Sequence, residues 1–269
     1  MKLAVSSLAW DPSEDEAVRA VLVRRGVAAI ELAPLRYWPS VSVVTAQTLA
    51  DYRARWADAG ISIVALQGIL FGMPDLQLFG SSAQQAALEG HLVGMGTLAA
   101  ALGAEVVVFG APKNRLRGVL SEEAAIAAAA PLLRRVAGTI HALGVTLCIE
   151  PNPARYGGDF VRTIAEGIRL VEVVSHPGLA LHLDAGAAAV NGETDEQFVH
   201  AARSARHYHI SEVDLVPVGS GTVDHRHLGG LLKQSGYGHW LSIEMRSIAL
   251  GLQASSVERA VDIALTAYK

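Results

Sequence analysis

The chain has 269 residues, 51% of them hydrophobic and 18% charged, with a formal net charge of −4. Disordered segments have the opposite balance, and an acidic chain is not a general nucleic-acid binder. Its mean hydropathy of +0.31 raises the membrane question, but charge-free stretches such as Ile61 to Pro74 and His91 to Ala104 span about 14 residues, and a spanning helix needs about 20 apolar residues.

Short β-branched runs alternate with longer helical patterns along the chain. The first strand candidate, Lys2–Trp10, runs into Asp11, Glu14, Asp15 and Glu16, too short and too acidic on its far side for a signal peptide. Ser13-Glu14-Asp15-Glu16 opens the first helix as a capping box, and Gly26 closes it. Strands Ala28–Ala33, Ile61–Leu66 and Ala104–Gly110 follow, the last two directly behind Gly60 and Gly103. Ser121 begins an Ala-rich helix that Pro131 should kink or split. The fifth strand, Val145–Glu150, carries the single cysteine, Cys148, which excludes an internal disulfide and a cysteine-based zinc cluster and points to a reducing cytoplasm. Asp159 reads as the N-cap of the fifth helix, before strand Leu179–Asp184. Thr194-Asp195-Glu196-Gln197 is a second capping box, before strand Arg206–Ser211. Asp224 caps the seventh helix, and Gly236 precedes the last strand, Trp240–Met245.

The strand starts lie 26 to 43 residues apart, room for one helix and its loops in each gap. Eight such units without a break in composition predict an α/β protein, one domain over residues 1–269, folded as a single (β/α)8 TIM barrel. An open doubly wound sheet would need a glycine-rich phosphate loop after strand one, and Ser6 to Pro12 is not one.

In a closed barrel the chemistry sits where the strands end at their C-termini. Strand five ends in Glu150, strand six in Asp184 after His182, strand seven passes through His207 and His209, and strand eight through Ser242, Glu244 and Arg246. Side chains alternate with period two, so Glu150, Asp184, His209 and Glu244 face inward while Ile149, Leu183, Tyr208, Ile210 and Ile243 face the helices. Three carboxylates at one spot cannot all ionise without a cation. Three carboxylates and one imidazole make a hard, oxygen-rich set suited to Mn²⁺, with Mg²⁺, Co²⁺ or Zn²⁺ as further candidates.

These strand ends, with Gly219-Ser220-Gly221-Thr222-Val223-Asp224 after strand seven and Glu31 in the second strand, resemble the xylose isomerase-like TIM-barrel superfamily. More narrowly they resemble its sugar phosphate isomerase/epimerase branch, which includes ketose 3-epimerases, inosose dehydratases and endonuclease IV. The resemblance implies a divalent metal on Glu150, Asp184, His209 and Glu244, and a substrate carbonyl next to an acidic C–H. It casts Glu150 and Glu244 as the acid/base pair. It also implies a small-molecule sugar, polyol or cyclitol substrate and a dimer or tetramer. Three positions depart from the ketose epimerases: Tyr156 stands where they carry a Glu, Ala187 where they carry a His, and Leu215 where they carry an Arg.

Other polar residues have blander readings. His207 reads as a hydrogen-bonded core histidine, while His182, Arg246 and Trp10 are candidate substrate contacts, with Phe71 and Phe109 as further apolar wall. Lys113-Asn114-Arg115-Leu116-Arg117 reads as a solvated loop, and Asp224-His225-Arg226-His227 as a cap with an exposed polar face. A metal-dependent lyase or dehydratase on the same scaffold is the alternative to an isomerase. A DNA-processing endonuclease would need histidines at the ends of strands two and three, where Glu31 and Gln67 stand. A non-catalytic barrel would have lost metal ligands.

Overall fold

The computed structural model describes residues 2–40 and 43–268. Eight parallel strands close a barrel in sequence order: β1 Lys2–Ser6, β2 Ala29–Leu32, β3 Ser62–Leu66, β4 Val106–Phe109, β5 Thr146–Ile149, β6 Leu179–Asp184, β7 Ala205–Ser211 and β8 Trp240–Glu244. Around it lie α1 Asp15–Arg25, α2 Ala46–Ala57, α3 Ser82–Leu102, α4 Glu122–His141, α5 Ile164–Val174, α6 Ala185–Asn191, α7 Asp195–Ala202, α8 His225–Ser235 and α9 Gln253–Ala267. None of these helices is long and apolar enough to cross a membrane.

The predicted inward and outward faces are the observed ones. Ile149, Leu183, Tyr208, Ile210 and Ile243 are buried in the shell between strands and helices. The barrel interior is filled differently at its two ends. Small side chains make up one part, with Ala4, Ala29 and Val64 in one cluster and Ala65, Val106, Val108 and Cys148 in another. Further toward the mouth the filling is polar: Glu31, His182, His207, His209 and Ser242, all fully buried. TIM-barrel interiors are usually dominated by branched apolar residues. Here the imidazoles take that volume, and each needs a partner that an alkyl group would not.

Five local expectations are corrected. Strand one stops at Ser6, whose hydroxyl accepts the Leu8 N–H at 3.2 Å and turns residues 7–9 into a 3-10 turn. The first cap is Asp11 rather than Ser13: its carboxylate accepts both the Ser13 N–H and hydroxyl, with Pro12 at the first position of a 3-10 turn leading into α1. Asp159 caps no helix, because its carboxylate accepts the N–H groups of Arg117 and Gly118, and Thr163 caps α5 instead. Pro131 lies inside α4 without splitting it. The β6–β7 gap holds two helices rather than one, α6 starting directly from Asp184. The caps at Ser121, Thr194 and Asp224 form as expected, the second as a full capping box.

A candidate metal and catalytic centre at the barrel mouth

The strand register sets the candidate site. Asp184 pairs with His209 across β6 and β7, and Ser211 pairs with Glu244 across β7 and β8. Glu150, Asp184, His209 and Glu244 each bring one ligand atom to within 4.8 Å of all the others. From His209 Nδ1 the distances are 3.1 Å to Glu244 Oε2, 3.8 Å to Glu150 Oε1 and 3.9 Å to Asp184 Oδ2. Yet Nδ1 itself has no hydrogen-bond partner.

The opposite ring nitrogen shows why. His209 Nε2 lies 3.0 Å from Glu31 Oε2, and Glu31 Oε1 holds His207 Nε2 at 3.1 Å. Gln67 completes the group, its amide donating to Glu31 and to Ser6. A histidine whose outer N–H is held by a carboxylate presents the other nitrogen as a ligand, which is how metal-bound imidazoles are usually oriented. An orphaned nitrogen aimed at three oxygens is the arrangement a divalent cation fits. Asp184 is fixed too: one oxygen accepts the Ala187 N–H at the start of α6, and the other accepts the Ser211 hydroxyl, both at 2.6 Å. Gly110, just past β4, leaves room for Glu150, since a Cβ there would collide with its carboxylate.

The electrostatics reflect crowding. Burial and the neighbouring Glu244 push Glu150 up to about 8 and Asp184 up to about 6. Burial also opposes charge on His209, but Glu31 and Glu244 outweigh it and hold the imidazole well above its usual range. Burial works against Glu31 as well, yet His209 and His207 keep its carboxyl well below the usual range. His182 goes the other way: burial, then His209 and His207, hold it well below, so it is neutral.

Above the cluster opens a cavity of about 630 Å³ whose lining includes Glu150, Glu244, Arg246, Gln67, Phe71 and Lys113. Arg246 is on the wall, its N–H held by the Leu215 carbonyl at 2.8 Å. His182 is fully buried, 3.7 Å from Glu150 Oε1, and neither of its ring nitrogens has a partner. Trp10 is corrected: it has no exposed surface, donates its indole N–H to Asp15 at 2.7 Å and packs on Trp56, so it belongs to the helical shell. Phe109 is likewise buried, and only Phe71 of the expected aromatic wall lines the cavity.

Three features lie outside the sequence reading. Glu31 was legible as a strand-end acid, but not its bridge between two histidines. Arg115, expected in a solvated loop, is completely buried and donates to the Glu150 main-chain oxygen at 2.5 Å and to Asn152 Oδ1 at 2.8 Å. Burial lowers its guanidinium to about 10. His225, expected on an exposed face, is buried between Glu212 and Tyr268, while the Glu212 carboxylate gathers the Gly219 and Val223 N–H groups of the loop after β7. The only sequence signal for this was a glycine-rich loop following an acid.

No curated protein matches the chain by sequence. Among solved structures it is similar to an L-ribulose 3-epimerase, with a TM-score of 0.83, 23% identity, and coverage of 100% of this chain and 95% of that one. It is similar to a D-psicose 3-epimerase from Clostridium cellulolyticum H10 with D-tagatose, with a TM-score of 0.82, 14% identity and full coverage of both chains, 100% and 100%. The IOLI protein with a bound zinc atom has a TM-score of 0.73 and 17% identity over 99% of this chain and 96% of that one. At these identities the likeness is one of fold, and neither reaction named in them is a lyase. Residues 20–263 match the sequence model of one family. A barrel closed in chain order and a match over most of its length give the same assignment: the chain belongs to the xylose isomerase-like TIM barrel family.

Proposed function

We propose that this protein is a divalent-metal-dependent isomerase or epimerase that moves a proton on the carbon beside a carbonyl of a sugar, polyol or cyclitol. One observation carries this reading: Glu150 and Glu244 both line the floor of the mouth cavity, and both belong to the cluster with Asp184 and His209. Glu150, Asp184, His209 and Glu244 would hold the ion, and the oxygen-rich set favours Mn²⁺ over Mg²⁺, Co²⁺ or Zn²⁺. Bound there, a divalent ion supplies Lewis-acid polarisation of a substrate carbonyl, which acidifies the neighbouring C–H.

The chain's own residues then do the proton work. One glutamate takes the proton from carbon, and the other returns a proton to the same or the neighbouring atom. Glu150 comes from β5 and Glu244 from β8, with Asp184 and His209 between them in strand order. Two bases from separated strands can serve different faces of one substrate carbon, which epimerisation requires. Asp184 and His209 are tied down by Ala187, Ser211 and Glu31 and act as plain ligands. Arg246, on the cavity wall, is placed to hold a substrate oxygen or carboxylate. His182 lies beneath Glu150 and supports it rather than meeting substrate.

The test is incubation with a panel of ketoses in D₂O. The expected result is deuterium at the carbon beside the carbonyl, with the mass otherwise conserved. E150Q and E244Q should each lower kcat by about 10²–10⁴-fold with an unchanged circular dichroism spectrum. Exchange that survives in both variants, or activity indifferent to chelators in a protein without divalent metal, overturns the reading.

A further inference from the structure

Arg115 is the one guanidinium among the largest fully buried side chains, and no carboxylate lies within ion-pair distance of it among the described residues. It follows a 3-10 turn, Pro112–Asn114, in the connection between β4 and α4. Its Nη2 makes both of its bonds to the segment just past β5, one to the Glu150 main-chain oxygen and one to the Asn152 side chain. Its Nε and Nη1 have no partner at all. The Phe109 ring lies 5.8 Å from the guanidinium carbon.

A buried cation without a counter-ion is unfavourable on its own. If the fold needed only a donor to one carbonyl and one amide oxygen, a neutral side chain would serve without that cost. Arginine keeps its charge in any protein environment. Here the charge sits against the main chain of Glu150, bonded to its carbonyl oxygen. Charged neighbours influence each other strongly in a dry interior, and Glu150, then Glu166, are the acidic groups that act on this guanidinium. Its Nη2 also fixes two points of the chain at once, the carbonyl of Glu150 itself and a side chain two residues on. Gly110 closes the other flank, where the Glu150 carboxylate occupies the space of a missing Cβ.

We propose that Arg115 is a positioning residue for Glu150. It clamps the chain past β5 and backs it with a fixed positive charge, so that the Glu150 carboxylate points into the cluster with Asp184, His209 and Glu244. This rests on the reading of Glu150 as a metal ligand and acid/base group. The role requires both the paired Nη2 bonds and the charge, which sets its signature apart from that of a structural arginine.

The experiment compares wild type with R115M, R115K and N152A. Three quantities are read: Mn²⁺ binding by electron paramagnetic resonance, kcat and KM on the best ketose of the panel, and the thermal midpoint. Residues that orient metal ligands typically cost about 10–100-fold in affinity or activity when removed. R115M should therefore weaken Mn²⁺ binding and lower kcat within that range, with KM changed by less than about threefold if substrate contacts are intact. R115K should recover part of the loss, and N152A should show a smaller loss in the same direction. Mn²⁺ affinity and kcat both within about twofold of wild type in R115M, with only the midpoint lowered, would overturn the proposal. If R115M does not fold, R115K and N152A decide by the same two readouts. Absence of turnover in wild type overturns the functional reading instead, and the Mn²⁺ titration still judges Arg115.

Discussion

Glu31 does at the scale of a single residue what the four cluster residues cannot do alone. It is completely buried and its two oxygens are divided between two histidines, at 3.1 and 3.0 Å. With Nε2 of His209 occupied, Nδ1 is the nitrogen left to face the carboxylates. E31Q keeps the shape but offers one oxygen and one NH₂, so one of the two imidazoles loses its acceptor. The expected outcome is a Mn²⁺ affinity about 10–100-fold weaker, read by calorimetric titration, with near-normal circular dichroism. Unchanged affinity in E31Q would show that His209 is oriented by packing alone. Glu31 stood out as the acid that ends the second strand, and the period-two pattern made the inward facing of Glu150, Asp184, His209 and Glu244 legible. It was silent on which inward groups touch, because Glu31 and His207 are 176 residues apart in the chain. Arg115 was hidden for a related reason: among Lys113, Arg115 and Arg117 it looks like one more solvated cation, and only the long-range bond to Glu150 shows that it is not.

Strands were easier to read than helix starts and ends. Alternation decides a strand's faces wherever its ends are placed, so the overlong first strand, drawn to Trp10 instead of Ser6, left the inward set of strands five to eight untouched. Caps depend on which of several oxygens wins a given N–H. Asp11 won over Ser13, and Asp159 was drawn away by the loop at Arg117 and Gly118. Thr194 and Asp224 faced no such competitor and cap as read. Pro131 is a third kind of case. Its missing N–H and its ring should interrupt α4, yet the helix runs on from Glu122 to His141, because the buried face of Ile126, Leu132, Leu133, Val136 and Ile140 holds it against the barrel. The residue itself is exposed. P131A should therefore raise stability, by up to about 3 kcal/mol on helix-propensity grounds, measured as a higher thermal midpoint with unchanged activity. A lower midpoint would mean that the proline ring packs against the shell and that the helix bends to suit it.

For the whole molecule, the sparse charge matters through its distribution. Of 26 carboxylates in a chain that is 18% charged, Glu31, Glu150, Asp184 and Glu244 share one end of one barrel with three imidazoles. Such a concentration ties the stability of the entire fold to pH. Burial and Glu244 push Glu150 from its ordinary 4.5 up to about 8, and Asp184 from 3.8 up to about 6. A carboxyl raised in this way binds more protons folded than unfolded between those two values. Its stabilising contribution is complete below the unfolded value and is lost as pH rises through the folded one. Glu31, held low, contributes above its ordinary value and loses that only in acid, whereas His209, held high, loses its contribution as pH rises from its ordinary 6.5 toward its raised value. Between about pH 6 and about pH 8 the Glu150 and His209 losses therefore act in the same direction. Chelator-treated protein should melt at a lower temperature at about pH 8 than at about pH 6. Mn²⁺, which binds the ionised carboxylates, should close that gap by stabilising the fold more at the higher pH. In E150Q, which cannot ionise at that position, the slope between the two pH values should become shallower, leaving the part that His209 supplies. Equal melting of the stripped wild type at both pH values, or the same slope in E150Q, would mean that Glu150 is already ionised in the folded chain and that Arg115 and His209 together suffice to hold it so.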